Sequence, residues 1–130
     1  MNAFLGVDYG RKHIGVAVAD GPLASPLASL GMSSDLPLKI AALAKQHGAV
    51  GVIIGMPDGP LGAEIEAFAR ELSTHVSCPV ATHPETLSTK EAIAALRAGG
   101  AKRKKLQNDH VYAACLILED YLDSQASHLV

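Results

Sequence analysis

A run of seven residues, AVGVIIG at positions 49–55, limits the fold more than any other stretch of the chain. A strand with water on one face alternates apolar and polar side chains. An unbroken apolar run of this length reads as a strand covered on both faces. Such a strand lies inside a sheet, with helices above and below it. The chain must therefore supply several helices, and further strands to flank the run.

The remaining segments supply both. Phe4 to Tyr9 and Ile14 to Ala19 read as two strands joined by the turn Gly10–Arg11–Lys12–His13, which makes a hairpin. A third short strand is expected within PLASPLASLG, where the prolines weaken the strand pattern. Asp35 or Ser34 can cap a helix with Leu36, Ile40 and Leu43 on one face. MPDGPLG is a loop by its proline and glycine content. Ile65, Phe68, Ala69 and Leu72 have the i, i+3, i+4, i+7 spacing of an amphipathic helix. CPVAT is a short strand. Ser88 and Glu91 form a capping-box pattern opening a helix that runs through Leu96 and stops at Gly99–Gly100. A basic loop follows. Asn108 or Asp109 is expected to cap the last helix, with Val111, Ala114, Cys115, Leu118 and Leu122 on one face.

Three antiparallel-type strands followed by alternating helices and strands predict an α/β fold. Its sheet is mixed and five-stranded, with right-handed crossovers and helices on both faces. With 130 residues, 48% of them hydrophobic, the expectation is one domain over residues 1–130 with a real core. No apolar stretch is long enough to span a bilayer. No leader-like segment opens the chain, and Cys78 and Cys115 lack metal-like spacing, so reduced thiols and a cytoplasmic location are expected. The net charge of −2 gives no global nucleic-acid signature. Five of the eleven Lys and Arg residues nevertheless fall in RAGGAKRKK, at Arg97, Lys102, Arg103, Lys104 and Lys105. Such a run is either a solvated loop or a phosphate-binding patch.

In sheets of this kind ligands collect at the carboxyl ends of the central strands. Three acids can arrive there. Asp8 ends the first strand, Glu85 follows the last strand, and Asp109 opens the last helix. Singly, each has an ordinary explanation: a turn residue, a solvated loop acid, an N-cap. Together, three converging carboxylates repel unless protonated or bound to cations, and oxygen-only ligands suit Mg²⁺ or Mn²⁺. Two such ions about 4 Å apart would stabilise the attacking and leaving oxygens of a phosphodiester. Asp20 and Asp58 are expected in turns, and Glu64, Glu66, Glu71 and Glu91 on exposed helix faces. Glu119, Asp120 and Asp123 are expected on a solvated surface. His83 and His110 stand beside Glu85 and Asp109. A role near the site is one reading of both, and a surface or hydrogen-bonding role is the favoured one.

Several segments together resemble a known family. LGVDYGRKHIGVAVAD followed by SPLASL, then VIIGMP, PETLSTKEA and NDHVYAACLILEDYL, are similar to the successive motifs of the YqgF (RuvX) family. That family comprises pre-ribosomal-RNA nucleases and Holliday junction resolvase-like proteins. The resemblance spans nearly the whole chain. It implies a ribonuclease H-like fold, with Asp8, Glu85 and Asp109 as the metal-binding catalytic acids. It also implies Mg²⁺ or Mn²⁺, two ions by preference, and a substrate of structured RNA or branched DNA. Pre-16S rRNA processing is the activity it suggests first, and branched-DNA resolution second, by a monomer or a homodimer. Arg11, Lys12 and the basic run at Lys102, Arg103, Lys104 and Lys105 would hold the nucleic-acid backbone. One departure stands out: the family's Asp-Glu-Arg is Pro84, Glu85 and Thr86 here. The lost arginine leaves a non-catalytic nucleic-acid binder as an alternative. A nucleotide-binding module of the sugar-kinase and actin kind shares the opening hairpin but needs a longer chain and further phosphate loops.

Overall fold

The computed structural model describes residues 2–98 and 103–127. Among them, five strands form one sheet: β1 (Ala3–Tyr9), β2 (His13–Ala19), β3 (Ser25–Gly31), β4 (Ala49–Met56) and β5 (Val80–Pro84). Their order is β3-β2-β1-β4-β5. β1 to β3 are an antiparallel meander, and β4 and β5 add to β1 in parallel. The continuous apolar strand β4 lies between β1 and β5, as its lack of alternation requires. β3 is the edge strand, where Pro26 need not donate to an inner ladder.

Among the described residues four helices occur, α1 (Leu36–Gln46) before β4, α2 (Leu61–Ser73) before β5, then α3 (Leu87–Ala98) and α4 (Arg103–Ser127). Side chains alternate across β1. Leu5 and Val7 join Ile14, Val16, Val52 and Ile54 against Leu36 and Ile40 of α1 and Ile65, Phe68 and Leu72 of α2. Nearly all are fully buried, and each such side chain contributes about 2 kcal/mol by leaving water. The opposite face, with Ala17, Ala19 and Ile53, receives Ala114, Cys115 and Leu118 of α4. Ile93 of α3 packs against Ala113 and Ile117 of α4. Helices thus cover both faces, and no described helix is long and apolar enough to cross a membrane.

Several local expectations need correction. The last helix starts at Arg103, so Asn108 and Asp109 lie inside it and cap nothing. Arg103, Lys104 and Lys105 are helical rather than looped, while Lys102 and the Gly99–Gly100 stop lie outside the described residues. Helix α3 begins before Ser88: the Thr86 hydroxyl accepts a hydrogen bond from the Thr89 backbone N–H at 3.2 Å and fills the cap role. Asp35 precedes α1, but its side chain makes no cap hydrogen bond. Glu119 and Asp120 are not merely solvated: Glu119 accepts from the Ala24 N–H at 2.8 Å, and Asp120 meets His83.

The thiols differ in exposure. Cys115 is buried, and burial, with Glu119 adding to it, pushes its thiol up to about 11, whereas Cys78 is half-buried. At pH 8 only about one Cys115 thiol in a thousand is the reactive thiolate. Iodoacetamide should therefore alkylate Cys78 of the native protein well before Cys115, which should react only after denaturation. Peptide mass spectrometry over a time course checks this, and equal rates would contradict the packing of α4.

Candidate active site

Asp8 sits where β1 ends, opposite Gly15 of β2. It is one residue beyond the Val7–Ile54 pair, level with Gly55 of β4, and Gly55 pairs with His83 of β5. Alternation turns Asp8 to the α4 face, and it is only 7% exposed. A carboxylate at this depth needs a polar partner. The His110 Nδ1 lies 2.6 Å from Asp8 Oδ2, the length of a charge-assisted bond.

That contact exists because the sheet is floored by glycine under α4. A Cβ on Gly15 would stand 2.0 Å from the His110 carbonyl oxygen, and one on Gly10 would stand 2.6 Å from the His110 ring. Further along, a Cβ on Gly6 would meet Leu118 at 2.7 Å, and one on Gly55 would meet Ile117 at 2.4 Å. The helix therefore rests on bare backbone and lowers its side chains onto the strand ends. His110, Ala114 and Leu118 are four residues apart and form the stripe that faces the sheet.

Glu85 follows β5 directly and is half-buried. Two strand spacings and two residues of rise separate its backbone from that of Asp8 by roughly 12 Å. Asp109 is 4% exposed and precedes Ala113 by one helical turn, on the flank of α4 that packs toward Ile93 of α3. The topology thus brings Asp8, Glu85 and Asp109 to one end of the sheet. It does not assemble them: among the described residues no three His, Cys, Asp or Glu side chains stand close enough to hold an ion. The partner that reaches Asp8 is His110, for which hydrogen bonding was the expectation. Its place on the stripe with Ala114 and Leu118 is the signal that marks it as sheet-facing.

A second histidine–carboxylate pair lies two strands away on the same face. His83 Nε2 is 2.8 Å from Asp120 Oδ2, and the His83 ring meets Tyr121 edge-on at 5.6 Å. Both members are under 20% exposed, so the pair ties β5 to α4 beside the site.

The cations are distributed around this end. Arg11 Nε is 3.7 Å from Glu64 Oε2 on α2, an exposed contact of small energetic weight. Tyr9, below it, is pushed up by burial and by Glu64. Lys90 of α3, not singled out by sequence, bonds Asp58 of the β4–α2 loop at 2.6 Å. That contact raises Lys90 and lowers Asp58, and the nearby Glu85 raises Lys90 further. Thr86, where the resemblance implies an arginine, is the cap of α3. Thr86→Ala should cost about 1 kcal/mol of stability, read from the urea midpoint, and Thr86→Ser should restore most of it. A mixed groove lined by Leu38, Ala41, Lys45, His75, Val76 and Cys78 lies at the opposite end of the sheet and contains none of these groups.

The donor chemistry at this end suits a divalent cation. Asp8 offers an anionic oxygen, His110 an imidazole nitrogen, and Glu85 and Asp109 further carboxylates on adjacent elements. The set is open rather than pre-assembled, as the spacing of Asp8 and Glu85 dictates.

The strand order 3-2-1-4-5, with the meander leading and an acid at the end of β1, defines a ribonuclease H-like domain. Solved structures agree in fold. RuvC of T. thermophilus in complex with Holliday junction substrate superposes with a TM-score of 0.59 at 14% identity, over 92% of both chains. The fowlpox virus Holliday junction resolvase gives 0.57 at 12% identity, over 95% of this chain and 99% of that one. Residues 2–124 match the RuvX family, described as Holliday junction resolvase. Two relatives carry the name "Putative pre-16S rRNA nuclease". That of Syntrophus aciditrophicus is 39% identical, over 92% of this chain and 87% of its own. That of Chloroflexus aurantiacus (strain ATCC 29366 / DSM 635 / J-10-fl) is 35% identical, over 95% and 88%. The chain belongs to the RuvX family.

Proposed function

We propose that this protein is a cytoplasmic, metal-dependent nuclease that hydrolyses phosphodiester bonds of structured nucleic acid, with pre-16S rRNA as its substrate. The observation that carries the reading is the burial of Asp8 at the end of β1, held there by α4, in a chain that matches pre-16S rRNA nucleases over nearly its full length. Asp8, Glu85 and Asp109 are the residues to hold Mg²⁺ or Mn²⁺, as two ions or one. A divalent ion bound here would supply the Lewis acidity that activates water and steadies the leaving oxygen.

The protein's own part is positional. The rigid strand end and the glycine-floored helix fix Asp8, and His110 sets the orientation of its carboxylate. Arg11, Lys12 and the basic run from Lys102 to Lys105 lie on segments flanking this end in sequence and are proposed to hold phosphates without reading bases. Cleavage should then weaken steeply with added salt.

Branched-DNA resolution is the second reading, favoured by the family description and by the fold shared with a RuvC bound to a Holliday junction. A resolvase cutting a two-fold junction acts as a symmetric dimer, while RNA trimming needs one copy. One assay separates the readings. Precursor rRNA, a four-way DNA junction and plain single strands are each incubated with the protein and Mg²⁺ or Mn²⁺. Preferred cutting of the precursor supports the first reading and paired junction nicks the second. Binding without cleavage under every metal would leave a nucleic-acid binder and overturn both.

A further inference from the structure

The residue on α4 that reaches Asp8 is a histidine, and the sheet is shaped to admit it. Its Nδ1 and Asp8 Oδ2 converge at 2.6 Å. Its ring lies against Gly10, where any Cβ would clash at 2.6 Å, and its backbone lies against Gly15, where one would clash at 2.0 Å. The side chain is 23% exposed and Asp8 only 9%, so the pair lies at the mouth of the site with one edge toward solvent. By contrast Asp109, the acid expected to complete the site, lies on the flank toward α3.

We propose that His110 is a metal ligand of this site, sharing one divalent ion with Asp8 through Nδ1. A bound ion would replace the hydrogen bond between Nδ1 and Oδ2, and its proton would leave to solvent. Two neighbouring ligands of an ion bound at about 2.1 Å stand about 3 Å apart, so the pair opens by only a few tenths of an ångström. The assignment rests on the metal-dependent reading above and changes its chemistry. An all-oxygen set suits Mg²⁺, whereas an imidazole nitrogen favours first-row transition ions such as Mn²⁺. The protein should therefore bind Mn²⁺ more tightly than Mg²⁺.

The test is pulsed EPR of the full-length protein loaded with Mn²⁺, made with ¹⁴N- and with ¹⁵N-histidine. The expected spectrum shows directly bound nitrogen that changes with the isotope and disappears in His110→Asn. That variant keeps a side-chain amide to bond Asp8, so the fold should survive; circular dichroism verifies it. Mn²⁺ affinity of the variant, by calorimetry, should fall about tenfold or more. His110→Asp should bind Mn²⁺ without the nitrogen signal and narrow the preference over Mg²⁺. Should either variant not fold, paramagnetic broadening of the Gly10 and Gly15 amides in the wild-type protein locates the ion beside His110. Mn²⁺ bound with no nitrogen signal, or a signal that persists in His110→Asn, overturns the assignment while leaving a metal-dependent nuclease intact. A nitrogen signal in a protein that cleaves no substrate upholds the ligand and overturns the nuclease reading. Absence of Mn²⁺ binding at millimolar concentration overturns both.

Discussion

Asp8→Asn is expected to lower metal-stimulated cleavage by about a thousandfold or more, the scale on which losing one preorganised charge-stabilising group slows an enzyme. The amide is isosteric with the carboxylate, and its oxygen can still accept the His110 Nδ1–H now bonded at 2.6 Å. The neutral partner weakens that bond by about 1 kcal/mol, so the melting temperature should fall by only about 4 °C. The change thus separates charge from architecture. Cleavage of the precursor by purified variant and wild type, side by side with melting curves, checks both halves. Undiminished activity would remove Asp8 from the chemistry.

Gly15→Ala should be the most damaging small substitution for the fold. The added methyl would stand 2.0 Å from the His110 oxygen, 2.1 Å from its carbonyl carbon and 2.4 Å from the Val111 nitrogen. All three are backbone atoms, so no rotamer change can relieve the contact. Helix α4 would have to lift from the sheet, uncovering Ala114 and Leu118 and drawing His110 away from Asp8. A loss of about 3 kcal/mol or more is expected, with cleavage falling in parallel. Gly21→Ala is the control: its Cβ would meet nothing within 4 Å, and it should stay within about 0.5 kcal/mol of wild type. Urea midpoints for the three proteins decide the matter. A Gly15→Ala protein as stable as its parent would mean that α4 is not seated on the strand.

The strands were the most legible part of the sequence because their signal is local. Unbroken apolar character at β4 and the Gly10 turn between β1 and β2 each follow from one short stretch, whereas the edge position of β3 came from the structure. The start of α4 was misread for a physical reason. Asn108 and Asp109 are good N-caps in isolation, and the polar run before them offers no apolar stripe, but the helix continues back through it to Arg103. Thr86 was hidden as a cap because Ser88 and Glu91 fit the capping-box spacing better. The acids could be assigned to one end of the sheet because strand order follows from connection rules. The meeting of His110 with Asp8 could not, because it depends on glycines in two other strands lying under one helix. Lys90 carries no sequence signal, since its relation to Asp58 and Glu85 is made by the β4–α2 and β5–α3 loops and not by any motif.

Asp8 and His110 lie 102 positions apart, at nearly opposite ends of the described chain. All five strands and the core under α1 and α2 are encoded before Arg103. A chain still being translated can therefore assemble its sheet while the other face, with Gly6, Gly15 and Gly55, stays bare. The contact of Asp8 with His110 forms only once α4 is in place. The contact between β1 and α4 is thus closed by the last element of the described chain, after every strand that supports it.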